Sequence, residues 1–217
     1  MILGAAASVD GRIATRTGDS GISSARDLRR VHRLRSEVDG IMVGRGTVVS
    51  DDPLLTARHR GGRNPVRIII DPLGRLPPES QIARTAGRIP TIVACTGRIP
   101  PRNRRRLEGL SVEVLEAGTD EMDLLVLLRA LYRRGLRTIL LEGGARTNWG
   151  FIERGLVDEM IITIAPVVIG GTGSVPLVGG RGFAGVHRRA FRLKEALRQG
   201  DEVVLHYVKR APRPARN

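Results

Sequence analysis

Aromatic residues make up only 3% of this 217-residue chain, too few to build the stacking platforms on which single-stranded nucleic acid lies. That scarcity decides how the charge is read. Lys+Arg number 36 against 22 Asp+Glu, a formal charge of +14, and such a balance attracts nucleic acid, acidic membranes or phosphorylated small molecules. The densest basic runs, RNRRR (Arg102 to Arg106) and the terminal RAPRPARN, have no aromatic residues between them. A nucleic-acid partner is therefore not expected. Lysine is almost missing, with Lys194 and Lys209 alone, so the charge is carried by arginine.

Cysteine is scarcer still. Cys95 has no second thiol to pair with and lies in the apolar run TIVAC, where a buried structural thiol and an intracellular, cytoplasmic setting are expected. One cysteine and no paired H-x-E and P-C-x-x-C segments exclude a zinc deaminase site, and no other metal site is expected. No apolar run approaches the roughly 18 residues of a membrane span. The opening MILGAAAS lacks a basic flank and passes straight into VDGRIA, which reads as a strand and not as a signal peptide.

What is present is alternation. Short apolar runs (MILGAAA, GIMVG, VRIIID, TIVACT, SVEVL, TILLE) are separated by longer patterns such as LRRVHRLRSEV and MDLLVLLRALYRR. The alternation predicts a single α/β domain over residues 1–209, with a mostly parallel sheet covered by helices on both faces. Ser24 with Asp27 three residues on forms a capping-box-like start. Leu28, Val31, Leu34 and Val38 then recur at helical spacing. A second helix is expected over Met122 to Arg134, bounded by Asp120 and Gly135. After Gly155, VDEMIITIAPVVIGG and EVVLHYVKR read as strands with no strong helix between them, which predicts partly antiparallel pairing. Residues 210–217 read as a basic, disordered tail.

Three polar segments interrupt this pattern. In LEGGARTNW, ending at Trp149, two glycines follow a buried-type strand and precede a helical pattern. Bare backbone there admits a phosphate and the helix start favours an anion, while a tight turn with positive φ needs glycine equally. The spacing is not G-x-G-x-x-G. In VGRGTVVSDDPLLTAR, Thr47 and Asp51 lie just past a strand end, where crevices of parallel sheets open. A helix cap at Thr47 and a turn at DDP account for them too. SVDGRIA and GDSGIS read as turns, and His32 and Arg35 sit on the first helix.

Taken together, ASVDGRIA, GISSARDLRRVHRLRSEVDGIMVGRGTVVSDDPLLTAR, NPVRIIIDPLGRLP, LLEGGARTNWGFIERGLVDE and IAPVVIGG occur in the order seen in the riboflavin-biosynthesis reductases. The chain resembles their stand-alone archaeal type from Ala7 to about Gly171. That resemblance implies a dihydrofolate-reductase-like fold, a homodimer, and NADPH as cofactor, with NADH as a further candidate. It implies reduction of the ribosylamino side chain of a phosphorylated pyrimidine, either the diamino form or its deaminated counterpart. A pterin reductase would share fold and cofactor.

Carried over by position, Thr47, Asp51, the loop Asp71, Pro72, Leu73 and Gly74, and the glycine loop Gly143, Gly144, Ala145, Arg146 and Thr147 correspond to cofactor contacts. Asp19, Arg35, Leu55, Arg58 and Glu142 correspond to substrate contacts, with Arg35 and Arg58 on the phosphate and Glu142 nearest the chemistry. The bacterial pattern commonly has serine at Asp19, tryptophan at Gly21 and serine at Pro72. Arg75 and Arg98 are the candidates for a cofactor 2′-phosphate.

Overall fold

A computed structural model describes residues 1–58, 61–185 and 190–210. The chain runs β1 (Ile2–Ser8), β2 (Arg12–Ala14), α1 (Ala25–Ser36), β3 (Gly40–Gly44), α2 (Arg45–Asp51), β4 (Val66–Ile70), α3 (Gln81–Arg84), β5 (Thr91–Cys95), α4 (Pro101–Gly109) and β6 (Glu113–Glu116). It continues through α5 (Leu124–Arg133), β7 (Ile139–Leu141), α6 (Ala145–Glu153), β8 (Glu159–Ala165), β9 (Val175–Pro176), β10 (Phe191–Gln199) and β11 (Glu202–Lys209). The large sheet has the order β10-β11-β8-β1-β7-β3-β4-β5-β6, and β2 pairs with β9 separately. From β8 to β6 every neighbour is parallel. The strands β11 and β10 add an antiparallel edge, as the C-terminal patterning predicts.

Period-two alternation in these strands splits the core in two. Ile41, Val43, Ile69, Val93 and Cys95 pack with Val48, Ile82 and Leu107 of α2, α3 and α4. Met42, Ile68, Ile92 and Ala94 face the other way, against Leu124, Leu127 and Leu131 of α5 and Phe151 of α6. Burying each such leucine is worth about 1.5–3 kcal/mol. Cys95 is fully buried as expected, and burial pushes its thiol up to about 12.

The helices differ from expectation in instructive ways. Ser24 caps α1 by accepting from the Asp27 N–H, yet Asp27 does not complete the capping box. Glu202 of β11 accepts from the Ser24 N–H (3.0 Å) and hydroxyl (2.6 Å) instead. The Asp27 carboxylate turns inward to Arg30, Ser23 and Thr163. On α1 the stripe Leu28, Val31, Leu34 enters neither core cluster, and Leu28 is 48% exposed. The cap of α5 is Asp123, not Asp120, because its carboxylate reaches the Leu125 and Val126 N–H groups. Segment FRLKEALRQ, with the composition of a helix, is the strand β10. Tertiary pairing with β11 overrides its propensity.

Arg67, 0% exposed, is held with no carboxylate partner among the described residues. Its guanidinium donates to the Thr91 and Thr85 hydroxyls and to the Ile82, Ile89 and Leu54 carbonyls. Burial lowers its pKa to about 10, so it remains charged at neutral pH. The bond to Leu54 ties the segment after α2 to the second core cluster.

Asp10 ties the small β2–β9 sheet's approach loops together. Its carboxylate accepts from the Ser8 hydroxyl (2.7 Å) and from the Ile169 and Gly170 N–H groups (3.0 and 2.8 Å). These bonds lower its pKa from 3.8 to about 2. A depressed carboxylate stabilises the fold above its unfolded pKa, and that contribution fades as pH falls toward the folded one. The stability difference between wild type and Asp10→Asn, measured by urea denaturation, should therefore be constant above about pH 4 and shrink between about pH 4 and 2. A difference that does not change across that window would remove Asp10 from this role.

Candidate active site

Strands β3 and β7 are parallel neighbours in register, Gly40 opposite Ile139 and Met42 opposite Leu141, so their exits lie side by side. Each leads at once into a helix. The Gly44 N–H donates to the Gly143 carbonyl (3.0 Å), and the Glu142 N–H donates to the Met42 carbonyl (2.9 Å). Gly143 and Gly144 have φ of 95° and 74°, a conformation that favours glycine. A Cβ on Gly144 would lie 3.1 Å from the Thr47 hydroxyl, and one on Gly44 would collide with the Thr147 hydroxyl. Glycine is thus favoured at Gly144 by its backbone, and a Cβ there would press on the Thr47 hydroxyl. Helix α6 begins with no side-chain cap on Gly144, which leaves its first turn as an anion-favouring end.

These turns open onto a cleft of about 980 Å³. The small residues Gly4, Ala5 and Ala6 of β1 form part of its wall, and the apolar stripe of α1, Val31 and Leu34, forms another part. The α1 stripe is therefore explained: it faces a ligand space and not the core. Gly44 to Thr47, Ser50, Asp51, Pro72, Glu142 and Gly144 to Asn148 complete the carboxyl-end rim.

Across the cleft Arg35 and Glu142 form a bidentate pair, Nε to Oε1 2.8 Å and Nη2 to Oε2 2.6 Å, while Nη1 donates to the Thr56 carbonyl at 3.2 Å. Both side chains are about 15% exposed (15% and 14%), so the pair is well shielded from screening. Each carboxylate oxygen keeps a lone pair after accepting from Arg35, so Glu142 can accept from a further donor. His32 Nδ1 lies 3.0 Å from the same Thr56 carbonyl. Burial, then the charges of Arg35 and Arg58, push His32 below its usual pKa, which makes it a neutral packing residue at physiological pH.

The expected residues divide. Arg35, Thr47, Asp51, Pro72, Glu142, Gly144, Ala145, Arg146 and Thr147 line one cleft. Leu55 does not: it is 2% exposed in the second core cluster with φ 53°. Asp19 sits in an exposed turn, where its carboxylate accepts from the Gly21 N–H. The Arg58 side chain is exposed outside the lining residues.

Asp71, Leu73 and Gly74 form a tight loop behind the rim. Asn103 donates to the Leu73 carbonyl (2.8 Å), and Arg106 donates to the Gly74 and Leu76 carbonyls (2.7 and 2.6 Å). The RNRRR run thus has an internal use: Asn103 and Arg106 hold this loop, and Arg104 pairs with Glu116. Asp71 is 2% exposed with one carboxylate oxygen unpartnered among the described residues, and burial raises its pKa against the opposing charge of Arg45. Arg75 and Arg98 are exposed after β4 and β5, outside the cleft lining.

Sequence reasoning passed over Arg30, Arg45 and Asn148, all of which line the cleft. Asn148 is 1% exposed and donates to the Leu177 carbonyl (2.8 Å), and its Oδ1 has no partner among the described residues. Nothing in the one-dimensional pattern marks it. For Arg30 the legible signal was Asp27 three residues before it. Among the described residues there is no group of acidic, histidine or cysteine side chains suited to a metal, and no helix is long and apolar enough to cross a membrane.

A parallel sheet whose glycine turns and uncapped helix open on a cleft at the carboxyl ends of its strands defines an α/β protein with its cleft at the strand-exit edge, where main-chain groups suit an anion. The chain belongs to the RibD C-terminal domain family, whose sequence model matches residues 1–205. It is 40% identical over 213 residues to the 2,5-diamino-6-ribosylamino-4(3H)-pyrimidinone 5′-phosphate reductase of Methanothermobacter thermautotrophicus, covering 96% of this chain and 97% of that one. It is 39% identical over 188 residues to the protein of the same name from Aquifex aeolicus, covering 84% of each. Among solved structures, Acinetobacter baumannii RibD superposes with a TM-score of 0.82 at 26% identity, over 96% of this chain and 57% of that one. The fold is the dihydrofolate-reductase-like one of RibD reductase domains.

The Arg35–Glu142 pair is open to a direct test. In a double-mutant cycle of Arg35→Ala, Glu142→Ala and the double variant, denaturation should return a coupling of about 1–3 kcal/mol. Additive losses would mean that the two side chains do not support each other.

Proposed function

We propose that this chain is an NADPH-dependent reductase that converts the ribosylamino side chain of 2,5-diamino-6-ribosylamino-4(3H)-pyrimidinone 5′-phosphate into a ribitylamino chain. The observation that carries the reading is the meeting, in one cleft, of the glycine cradle with the Arg35–Glu142 pair. The near full-length similarity to reductases of that name supports it.

The residues fit a dinucleotide. Gly44 and Gly144 leave bare the backbone that a Cβ would fill, the first turn of α6 faces the same space, and Thr47 and Thr147 add hydroxyls beside it. Arg146, exposed in that turn, adds a cation. When bound there, a reduced nicotinamide supplies a hydride.

The rest of the chemistry asks little acid–base work of the protein. An N-glycosylamine opens to an imine whose C1′ is electrophilic, and reduction adds one hydride at C1′ and one proton at nitrogen. Glu142, held in place by Arg35, accepts hydrogen bonds from the substrate and fixes its orientation. The apolar stripe of α1 excludes water from the reacting face. Positioning of this kind accounts for a site with few titrating groups. The same reading carries a homodimer and a cytoplasmic location, with residues 1–209 as the reductase domain. The basic tail expected over 210–217 lies, beyond Arg210, outside the described residues.

Purified protein should oxidise reduced nicotinamide, followed by its absorbance, only when the phosphorylated ribosylaminopyrimidine is added. Offering NADPH and NADH against the diamino and deaminated forms identifies cofactor and substrate together, and no oxidation in any combination would overturn the assignment. Asp51→Ala, on the cleft rim, should weaken NADPH binding in a fluorescence titration. An unchanged affinity would take Asp51 out of the cofactor site.

A further inference from the structure

Asp27 is the only buried residue of α1, and none of the helix's side chains belongs to either core cluster. An amphipathic helix ordinarily keeps its place by burying an apolar face. Here that face, Leu28, Val31 and Leu34, lines the cleft beside Arg35. Polar bonds therefore fix the helix, and they gather at its two ends.

Near the carboxyl end, Arg35 pairs with Glu142 and donates to the Thr56 carbonyl. At the amino end the bonds come from the C-terminal strands. Glu202, the first residue of β11, is 5% exposed. Its Oε1 accepts from the Ser24 N–H (3.0 Å), and its Oε2 accepts from the Ser24 hydroxyl (2.6 Å) and from Gln199 Nε2 (3.1 Å). Both oxygens are spent on a helix start and an amide, with no cation paired to them among the described residues. Ser24 in turn caps the helix by accepting from the Asp27 N–H (3.1 Å), and the Asp27 carboxylate accepts from the Thr163 hydroxyl of β8 (2.7 Å). Two neighbouring strands thus grip one end of the helix.

We infer that Glu202 is a positioning residue for the reaction: from the β10–β11 hairpin it fixes the start of α1, and so sets the apolar wall of the cleft against the substrate. The inference rests on the proposed reductase function. Arg35 lies eleven positions after Ser24, a rise of about 16 Å. Freeing the start lets the helix swing about its Arg35 end and carries Leu28 and Val31 with it. A displacement of about 1 Å in a positioning element costs on the order of 100-fold in rate. The glycine cradle is held by main-chain bonds of its own, Gly44 to Gly143 and Glu142 to Met42, so its shape does not depend on this cap.

The test compares wild type, Glu202→Ala and Glu202→Gln for kcat/KM on the phosphorylated ribosylaminopyrimidine, with NADPH affinity measured separately by fluorescence titration. E202A should lose about 10- to 100-fold in kcat/KM and keep the wild-type NADPH affinity. E202Q should recover most of that loss, because its carbonyl accepts from the Ser24 N–H and the Ser24 hydroxyl can turn to accept from its amide. A cap serving stability alone would leave kcat/KM unchanged at a temperature where all three proteins are folded, and that result overturns the inference. A parallel loss of NADPH affinity, or an E202Q no better than E202A, overturns it too. If E202A does not fold, Ser24→Ala decides, since it deletes the hydroxyl bond and leaves the main-chain one. Lowered kcat/KM with unchanged NADPH affinity then supports the role, and any other result overturns it. If wild type reduces no pyrimidine, the reductase reading fails instead, and the anchoring is judged by amide hydrogen exchange of E202A, or of S24A where E202A does not fold. Faster exchange over 25–36 but not over 145–153 supports it. Unchanged exchange over 25–36, or equal acceleration in both segments, overturns it.

Discussion

The Gly44 N–H bonded to the Gly143 carbonyl is the contact on which this site depends. It joins the exits of two parallel strands before either helix has begun, and so sets Thr47 beside Gly144 and Thr147 beside Gly44. With no side chain on these glycines, the two turns approach closely enough to leave a shallow cradle of main chain. Any larger residue at Gly44 or Gly144 would have to displace a threonine hydroxyl. The backbone and the steric demands agree, and agreement of that kind marks a built feature more strongly than either demand alone.

Around this cradle the protein handles its high positive charge by engaging arginines one at a time. Arg35 is matched to Glu142, Arg30 to Asp27, Arg104 to Glu116 and Arg134 to Glu113. Arg67 and Arg106 are spent on carbonyl oxygens. Exposed pairs such as Arg134–Glu113 contribute little. Those at the cleft differ because they are more shielded from solvent.

Segment 52–58 shows how the scaffold supports the site from behind. Asp52 and Leu55 both adopt positive φ without being glycine, a conformation that costs of order 1–3 kcal/mol each. The segment is held nonetheless: Gln81 bonds the Asp52 carboxylate through its N–H, Arg67 the Leu54 carbonyl, Asn64 the Ala57 N–H, and Arg35 the Thr56 carbonyl. Leu55 is the apolar anchor that these bonds hold in the core.

Much of this was legible in one dimension because it depends on local periodicity. Alternating strands, the Ser24 cap, the buried Cys95, the antiparallel C-terminal edge and the need for bare backbone at Gly143 and Gly144 all follow from spacing, propensity and the absence of a Cβ. What the sequence could not determine is whatever depends on a partner far along the chain. Glu202 completes a cap 178 residues away, Glu142 closes on an arginine 107 residues before it, and β10 becomes a strand because β11 lies beside it. The α1 stripe reads the same whether it covers a core or a cleft, since hydrophobic spacing records that a face avoids water and not what it meets. Which arginines face a ligand, and which are consumed in holding loops, was decided only when the sheet brought distant segments within hydrogen-bonding reach, because that selection rests on distances that residue spacing does not contain.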